Sequence, residues 1–409
     1  MKESGIDWIG QIPEEWESGK VKYFSKISAG ATPDRNNLLF WNGDINWMSS
    51  GEVNQEIVKY TAETITNLAL KKSSTKLLPI GTVMLAMNGQ GKTKGTVAIL
   101  AIETASNQSL ASFIVDGNRL NNQYLYYFFK AGYSYIRGLK GEDRDGLNLQ
   151  LVSNITVLLF DIKEQQKIAD FLDKKTTQLD KVKSLLEEQI QKLKDYRSSL
   201  IYETVTKGLD KTVPMKDSGI DWIGQVPEGW GVSRLKYYFD IYAGGDIDER
   251  NTVEEYSESH PYPVLSNSLE NEGVLGYTNK YRFKKNCVTV TGRGDVGKAV
   301  YRNIKFYPVV RLLVCVPKSQ VDCRFVTYWI NSAIIEKNQT AVSQLTIQML
   351  RELIFVNVPF LEQKNIADFL DKKTNQIDKL IQIKNQQIDN INKQRQTLIY
   401  DYVTGKKRA

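Results

Sequence analysis

The sequence predicts an α+β protein: a tandem, pseudo-two-fold repeat of two mixed α/β domains, each followed by a long helix, the two helices pairing as an antiparallel coiled coil. Three observations lead there. Ile168–Thr176 returns letter for letter at Ile366–Thr374, a shift of 198 residues, and a long-range repeat of this kind is read before any local pattern. Residues 2–17 return with few changes at 216–231, a shift of 214. After each copy of the first motif, apolar residues recur at alternating four- and three-residue spacing. The two shifts differ by 16 residues, so the copies share their ends while their middles differ in length and letters. That pattern describes a common frame carrying two different surfaces.

The totals bound the class. A chain of 409 residues is long enough for two or three domains with their own cores. The net charge of +7 and pI near 8.9 are compatible with nucleic acid without demanding it. No apolar run approaches the roughly 18 residues of a membrane span, and no signal-peptide core opens the chain. Three cysteines, Cys287, Cys315 and Cys323, make no disulfide framework, so a cytoplasmic setting and no membrane partner are expected. A single histidine, His260, leaves little scope for a histidine-bearing metal site or a histidine-based triad.

Taken in order, the chain opens with Trp8, Pro13 and Trp16, matched by Trp222, Pro227 and Trp230. The proline disfavours a continuous helix, and each segment is expected to be an extended apolar clasp closing on the domain behind it. The first middle offers strands at 82–86, 96–100 and 155–159, the second at 287–290 and 311–316. Aromatic-rich stretches at 122–130 and 325–330 are expected to be helical. The first long helix is expected over 163–207, with Asp161 and Glu164 as a capping box and Gly208 as the stop. Its seam reads Ile168, Leu172, Lys175, Leu179, Val182, Leu186, Gln189, Leu193, Tyr196 and Leu200; the second reads Ile366, Leu370, Lys373, Ile377, Leu380, Lys384, Gln387, Ile391, Gln394 and Leu398. Neither helix has a long partner in its own domain, so pairing with the other is the economical solution. The expected divisions are 1–160 (first domain with its clasp), 161–208 (first helix), 209–358 (linker and second domain) and 359–409 (second helix).

Chemistry is harder to find than recognition. Ala86–Thr93 fits a permissive phosphate-loop pattern, but Lys94-Gly95 leads into another β run where a P-loop needs a helix. A glycine-supple hairpin tip presenting Asn88, Gln90, Lys92, Thr93 and Lys94 to bases or phosphates fits better, against the blander reading of a solvated hairpin. The second middle has a counterpart in 291–298, with Arg293, Asp295 and Lys298. Further candidate readers are Ser50 and Asn54 against Ser266 and Asn267, and Arg144 and Asn148 against Gln344 and Thr346. Arg144 and Gln344 serve equally well as caps of the segment behind them. None of the ten prolines adjoins another, so the proline pair of amino-methyltransferases is absent, and no S-adenosylmethionine glycine loop opens a βαβ unit. A nuclease-like Glu362-Gln363-Lys364 has Gln166 at the lysine position in the other copy and no upstream Pro-Asp. A catalytic role is not expected; the rivals are a coiled-coil adaptor without a DNA role and a P-loop NTPase.

The Gly-Ile-Asp-Trp-Ile-Gly-Gln-Ile/Val-Pro-Glu-x-Trp opening, the Glu-Gln-x-x-Ile-Ala-x-Phe-Leu-Asp helix start and the Leu-Ile-Tyr helix end, each written twice, resemble the specificity subunits of bacterial type I restriction–modification systems over essentially the whole chain. The resemblance implies that the middles are target-recognition domains, each binding one half of a split double-stranded DNA sequence, with the helices as spacers setting the gap. It implies two adenine-N6 methyltransferase (modification) subunits and restriction/translocase subunits as partners. S-adenosylmethionine, ATP and Mg are expected on those partners and no cofactor on this chain. Partner binding is expected near Ile168, Phe171, Leu172, Ile366, Phe369 and Leu370, and at Trp8 and Trp222, with the helix residues equally suited to the internal seam.

Overall fold

The computed structural model describes residues 1–140, 146–337 and 344–408. They form two compact units, Met1–Leu186 with Gln386–Ala409, and Glu187–Asn385. Each unit contains a mixed α/β domain, the first half of one long helix or the second, and the complementary half of the other helix.

In the first unit the Trp–Pro–Trp segment is a short hairpin, Lys2–Glu3 against Gln11–Ile12, with no helix in it. Trp16 stacks on Phe160 at 3.7 Å, and Ile6, Ile9 and Ile12 are buried, so the clasp is part of the core. Behind it a five-stranded sheet runs in the order Ser25–Ala29, Leu110–Val115, Val83–Ala86, Val97–Leu100, Ile57–Val58, and a smaller sheet centres on Trp41–Met48. The helix Asn122–Ala131 covers the main sheet through Phe129 on Phe113. Its six consecutive residues Tyr124–Phe129 are all buried, because one face meets the sheet and the other the clasp and long helix.

The second unit repeats the plan. Its clasp pairs Met215–Asp217 with Gln225–Pro227, and its main sheet runs Phe239–Ala243, Leu312–Pro317, Cys287–Thr291, Ala299–Arg302. A second four-stranded sheet is built on Tyr262–Leu265 and Val274–Thr278, and the covering helix is Cys323–Lys337. In both units the edge strand ends in a glycine jammed against backbone. A Cβ on Gly30 would lie 2.1 Å from the Ser106 carbonyl oxygen, and one on Gly244 1.9 Å from that of Val309.

The long helices are Ile162–Lys207 and Phe360–Val403. The Asp161 carboxylate accepts from the amides of Lys163 and Glu164, and Gly208 ends the first helix at φ +73°. In each unit the helix halves run antiparallel. Phe171 meets Tyr402 at 4.4 Å and Arg395 pairs with Asp180 in the first; Arg197 pairs with Asp378 and Lys384 with Gln189 in the second.

The seam differs from its sequence reading in one respect. Beyond Leu172 and Leu370 its alternate members move on by one residue: Thr176 and Thr374 are buried, Ile190 is buried and Ile388 half-buried, while Lys175, Val182, Gln189, Tyr196, Leu380, Gln387 and Gln394 are exposed. The cause is local. Tyr127 bonds Asp173 and Thr176, and Tyr328 bonds Asp371 and Thr374, which turns that face of the helix inward where it lies on its domain. The shift preserves the heptad period, so four–three spacing alone does not distinguish the two registers.

The repeated motifs meet at one place in each unit. Gln165 is buried, accepting from the Asn121 amide and donating to the Arg119 and Phe160 carbonyls; Gln363 does the same with the Asp322 amide and the Val358 carbonyl. Tyr400, at the end of the second helix, donates to the Trp8 and Ile9 carbonyls, and Tyr202, at the end of the first, to those of Trp222 and Ile223. A clasp is thus closed by its own domain's helix start and by the other copy's helix end.

Candidate nucleic-acid interface

The first hairpin tip connects Val83–Ala86 to Val97–Leu100. Asn88, Gln90 and Lys92 are exposed on it, and Thr93 and Lys94 half-exposed. Gly89, Gly91 and Gly95 adopt φ of +149°, +59° and +85°, which side chains disfavour, and no helix follows Lys92. The tip is held from behind. The Arg137 guanidinium donates to the Lys94 carbonyl at 3.0 Å and the Gly91 carbonyl at 2.6 Å, and the Tyr133 hydroxyl to that of Lys92 at 2.9 Å. The Leu147 amide donates to the Met87 carbonyl, which brings residues 146–148 beside the tip. Asn148 is exposed, but its side chain caps the helix Leu149–Ser153. Arg144 lies outside the described residues.

Ser50 begins a 3-10 turn whose cap is the adjacent Ser49 with Glu52. Asn54, exposed, bonds back to the Gly51 carbonyl and lines a cleft of about 570 Å³ with Gly95, Lys130, Tyr133 and Arg395. Inside it the Glu56 carboxylate takes Lys130 at 2.6 Å and Arg395 at 2.8 Å. Burial alone would raise the Glu56 carboxyl, but the two cations overcome it and hold it below the ordinary range. Burial pushes the Lys130 ammonium down to about 8.

In the second unit all three candidate segments converge on Gly292. The Asn267 side chain accepts from the Gly292 amide at 2.8 Å and donates to the Val310 carbonyl, while the Leu345 amide donates to the Gly292 carbonyl at 3.0 Å. Arg293 and Asp295 are exposed on the tip, and Lys298 is half-exposed at its base. The Thr291 hydroxyl donates to the Asp295 carbonyl and accepts from the Lys298 amide, closing the turn. Ser266 is buried, donating to the Gly273 carbonyl, Thr346 caps the helix Ile347–Arg351, and Gln344 is exposed.

Of the residues expected to bind partners, Ile168, Leu172, Ile366 and Leu370 are fully buried in the cores of their own units and present no surface. Phe171, Phe369, Trp8 and Trp222 are half-buried; Trp8 lies among Phe128, Tyr135 and Tyr400, and Trp222 against Trp329. Sequence reading missed Arg137, Tyr133 and Glu56. Arg137 carried a signal: it follows Tyr133 at the four-residue spacing that lets two helix side chains meet.

Among the described residues no His, Cys, Asp or Glu group could hold a metal ion, and no helix is long and apolar enough to cross a membrane. What the geometry defines is a repeated frame carrying two loop-bearing surfaces of different composition. The model of the type I restriction modification DNA specificity domain family matches residues 13–194 and again 227–393. The chain belongs to that family, carrying its DNA specificity domain twice, and is similar to type I specificity subunits. A Mycoplasma pneumoniae protein named as a type I specificity subunit is 36% identical over 118 residues, 29% of this chain and 35% of that protein. The type I restriction enzyme MjaIX specificity subunit of Methanocaldococcus jannaschii is 26% identical over 267 residues, 63% of this chain and 58% of the relative. These matches thus span between about a third and three-fifths of the relatives' length. A solved chain from a study of the assembly and conformational transition of the type I restriction–modification system shares the fold, with a TM-score of 0.79 at 14% identity over 97% of this chain and 100% of that one.

Proposed function

We propose that the chain gives a type I restriction–modification complex its DNA sequence specificity, reading a bipartite duplex target with one half-site per domain. The domains fall at 1–160 and 209–358 and the spacer helices at 161–208 and 359–409. It recruits two adenine-N6 methyltransferase subunits and the restriction/translocase subunits, which bring S-adenosylmethionine, ATP and Mg, and it works in the cytoplasm. One observation carries the reading: two hairpin tips occupy the same place in two copies of one frame, yet one offers Asn88, Gln90 and Lys92 and the other Arg293, Asp295 and Lys298. A frame kept alike suits a partner that comes twice; tips that differ suit two different base sequences. Amide and guanidinium groups at the tips supply base choice, and lysines at the rim supply phosphate contacts. The target adenine is flipped out of the stack into the partner's pocket.

Mapping N6-methyladenine across the host genome, with and without the gene, should erase methylation from one interrupted motif. Replacing residues 18–160 with the corresponding domain of another family member should change one half of that motif only. A change in both halves would overturn the modular reading.

A further inference from the structure

Another charged surface of the second unit lies away from its hairpin tip. Residues 279–286, Asn-Lys-Tyr-Arg-Phe-Lys-Lys-Asn, lead into the strand Cys287–Thr291 at the end opposite its hairpin. Phe283 is the anchor: it is buried, its ring stacks on Phe306 at 5.8 Å, and the two exchange backbone hydrogen bonds in both directions at 3.2 Å. With that ring turned in, Lys280, Arg282, Lys284 and Lys285 are all exposed. From the facing turn, exposed Lys305 stands 4.6 Å from the Tyr281 ring and 6.0 Å from that of Tyr262, and these rings meet edge to face at 5.0 Å.

None of these five cations forms an ion pair among the described residues. Asp248 shares a shallow cleft with Lys280, and its carboxylate takes the Asn251 amide at 2.6 Å. Four exposed cations within six residues, with Lys305 on the facing turn, raise the energy of the free protein and favour a polyanion as their counterpart. The first unit carries cations at the corresponding point. Lys71, Lys72 and Lys76 are exposed ahead of Leu78, whose backbone bridges Thr104 as Phe283 bridges Phe306. The sign of the charge is repeated and the letters are not. That fits a ligand whose charge is uniform better than a protein face, which selects particular side-chain shapes.

We propose that Lys280, Arg282, Lys284, Lys285 and Lys305 grip the phosphate backbone of the duplex flanking the half-site read by the second domain, without regard to sequence. This rests on the DNA-reading function proposed above. A five-residue strand separates the patch from the tip by about 14 Å. At 3.4 Å of rise per base pair, it would meet the backbone roughly four base pairs beyond the bases at the tip.

The test uses the full chain assembled with its methyltransferase partner, on duplexes carrying the mapped motif with long or trimmed flanks, titrated against salt. In the quadruple variant Lys280→Gln, Arg282→Gln, Lys284→Gln, Lys285→Gln the slope of log affinity on log salt should flatten by about 3.6, while preference for the motif over a scrambled site stays within twofold. Trimming the flank on that side to fewer than about four base pairs should weaken the wild type and leave the variant unaffected. Should the quadruple variant fold poorly, Lys284→Gln with Lys285→Gln gives half the change in slope. An unchanged slope, while Arg293→Ala alters motif preference, overturns the patch and leaves the parent reading standing. An unchanged slope with loss of subunit assembly also overturns it and gives the surface to an acidic protein partner. No salt-dependent duplex binding by the wild type would instead defeat the parent reading.

Discussion

The two units share a frame but fasten their domains to the helices differently. In the first, Glu56 projects from the domain onto Lys130 and Arg395, and Arg395 continues to Asp180 on the paired helix, so one ion-pair network runs from domain to helices. The Arg395 side chain is only 16% exposed. In the second unit the equivalent arginine, Arg197, pairs among the described residues with Asp378, from helix to helix, and is 37% exposed. Domain attachment there falls to Arg324, which gathers Asp322, Asp368 and Asp371 at the start of the long helix, raising its own pKa chiefly through the hydrogen bond to Asp322. Glu56 also sits at φ +60°, ψ −50°, a backbone region that costs on the order of 1–3 kcal/mol for a residue with a side chain. A glycine would relieve that cost and lose the carboxylate. The first domain is thus bonded to both paired helix halves through Glu56 and Arg395, whereas the second is bonded through Arg324 to the start of its own long helix.

The widest gap between the units is expected at the arginines. Arg395→Met leaves Glu56 with Lys130 alone and Asp180 in solvent and should cost about 2 kcal/mol, against about 1 kcal/mol or less for Arg197→Met at its more exposed pair. Peptide-resolved hydrogen exchange reads each loss in its own unit. Equal losses would show that the Glu56 network adds nothing to the shared packing.

One pH effect, that of Lys130, belongs to the first unit alone; in the second, burial raises the Cys287, Cys315 and Cys323 thiols and acts in the opposite direction above pH 9. Burial lowers the Lys130 ammonium to about 8 from its ordinary 10.5, and its counterpart in the second unit is the uncharged Asn331. Between these values the unfolded chain holds a proton that the folded chain has released. The Lys130 contribution to stability therefore rises with pH from 8 to 10.5, by up to about 3 kcal/mol, and is flat below 8 where both states are protonated. Lys130→Met should abolish this rise relative to wild type. A variant that retains the full rise would assign it to other groups.

Much of this frame was legible in the sequence because its parts are written twice. Strand positions, helix ends, the Asp161 cap and both hairpin tips follow from local pattern and from the comparison of copies. The seam register was not legible beyond Leu172, because two four–three readings of one heptad differ only in which domain residues the helix meets. Tyr127 and Tyr328 decide it, and they lie more than forty residues away from their partners. The candidate readers show the same limit. A serine, threonine or asparagine near a glycine is equally apt to cap a turn or to face a ligand, and at Asn148, Ser266 and Thr346 the side chain is spent inside the fold. Glu56 gave no local sign, since its partners are 74 and 339 residues away.

The smallest effect should also be the most even. Tyr127 and Tyr328 make matched bonds, the first to Asp173 at 2.5 Å and Thr176 at 3.1 Å, the second to Asp371 at 2.8 Å and Thr374 at 3.2 Å. Burial raises both phenols, Tyr328 to about 12, so both are protonated donors at neutral pH. Tyr127→Phe and Tyr328→Phe should each cost about 1 kcal/mol, the net worth of a hydrogen bond whose acceptor keeps other partners. Equal costs, set beside unequal costs at Arg395 and Arg197, would place the difference between the units in the Glu56–Arg395 link from domain to spacer and leave the repeated frame alike. Unequal costs at the tyrosines would mean that the frame itself has diverged, and the arginine comparison would no longer isolate the Glu56 network.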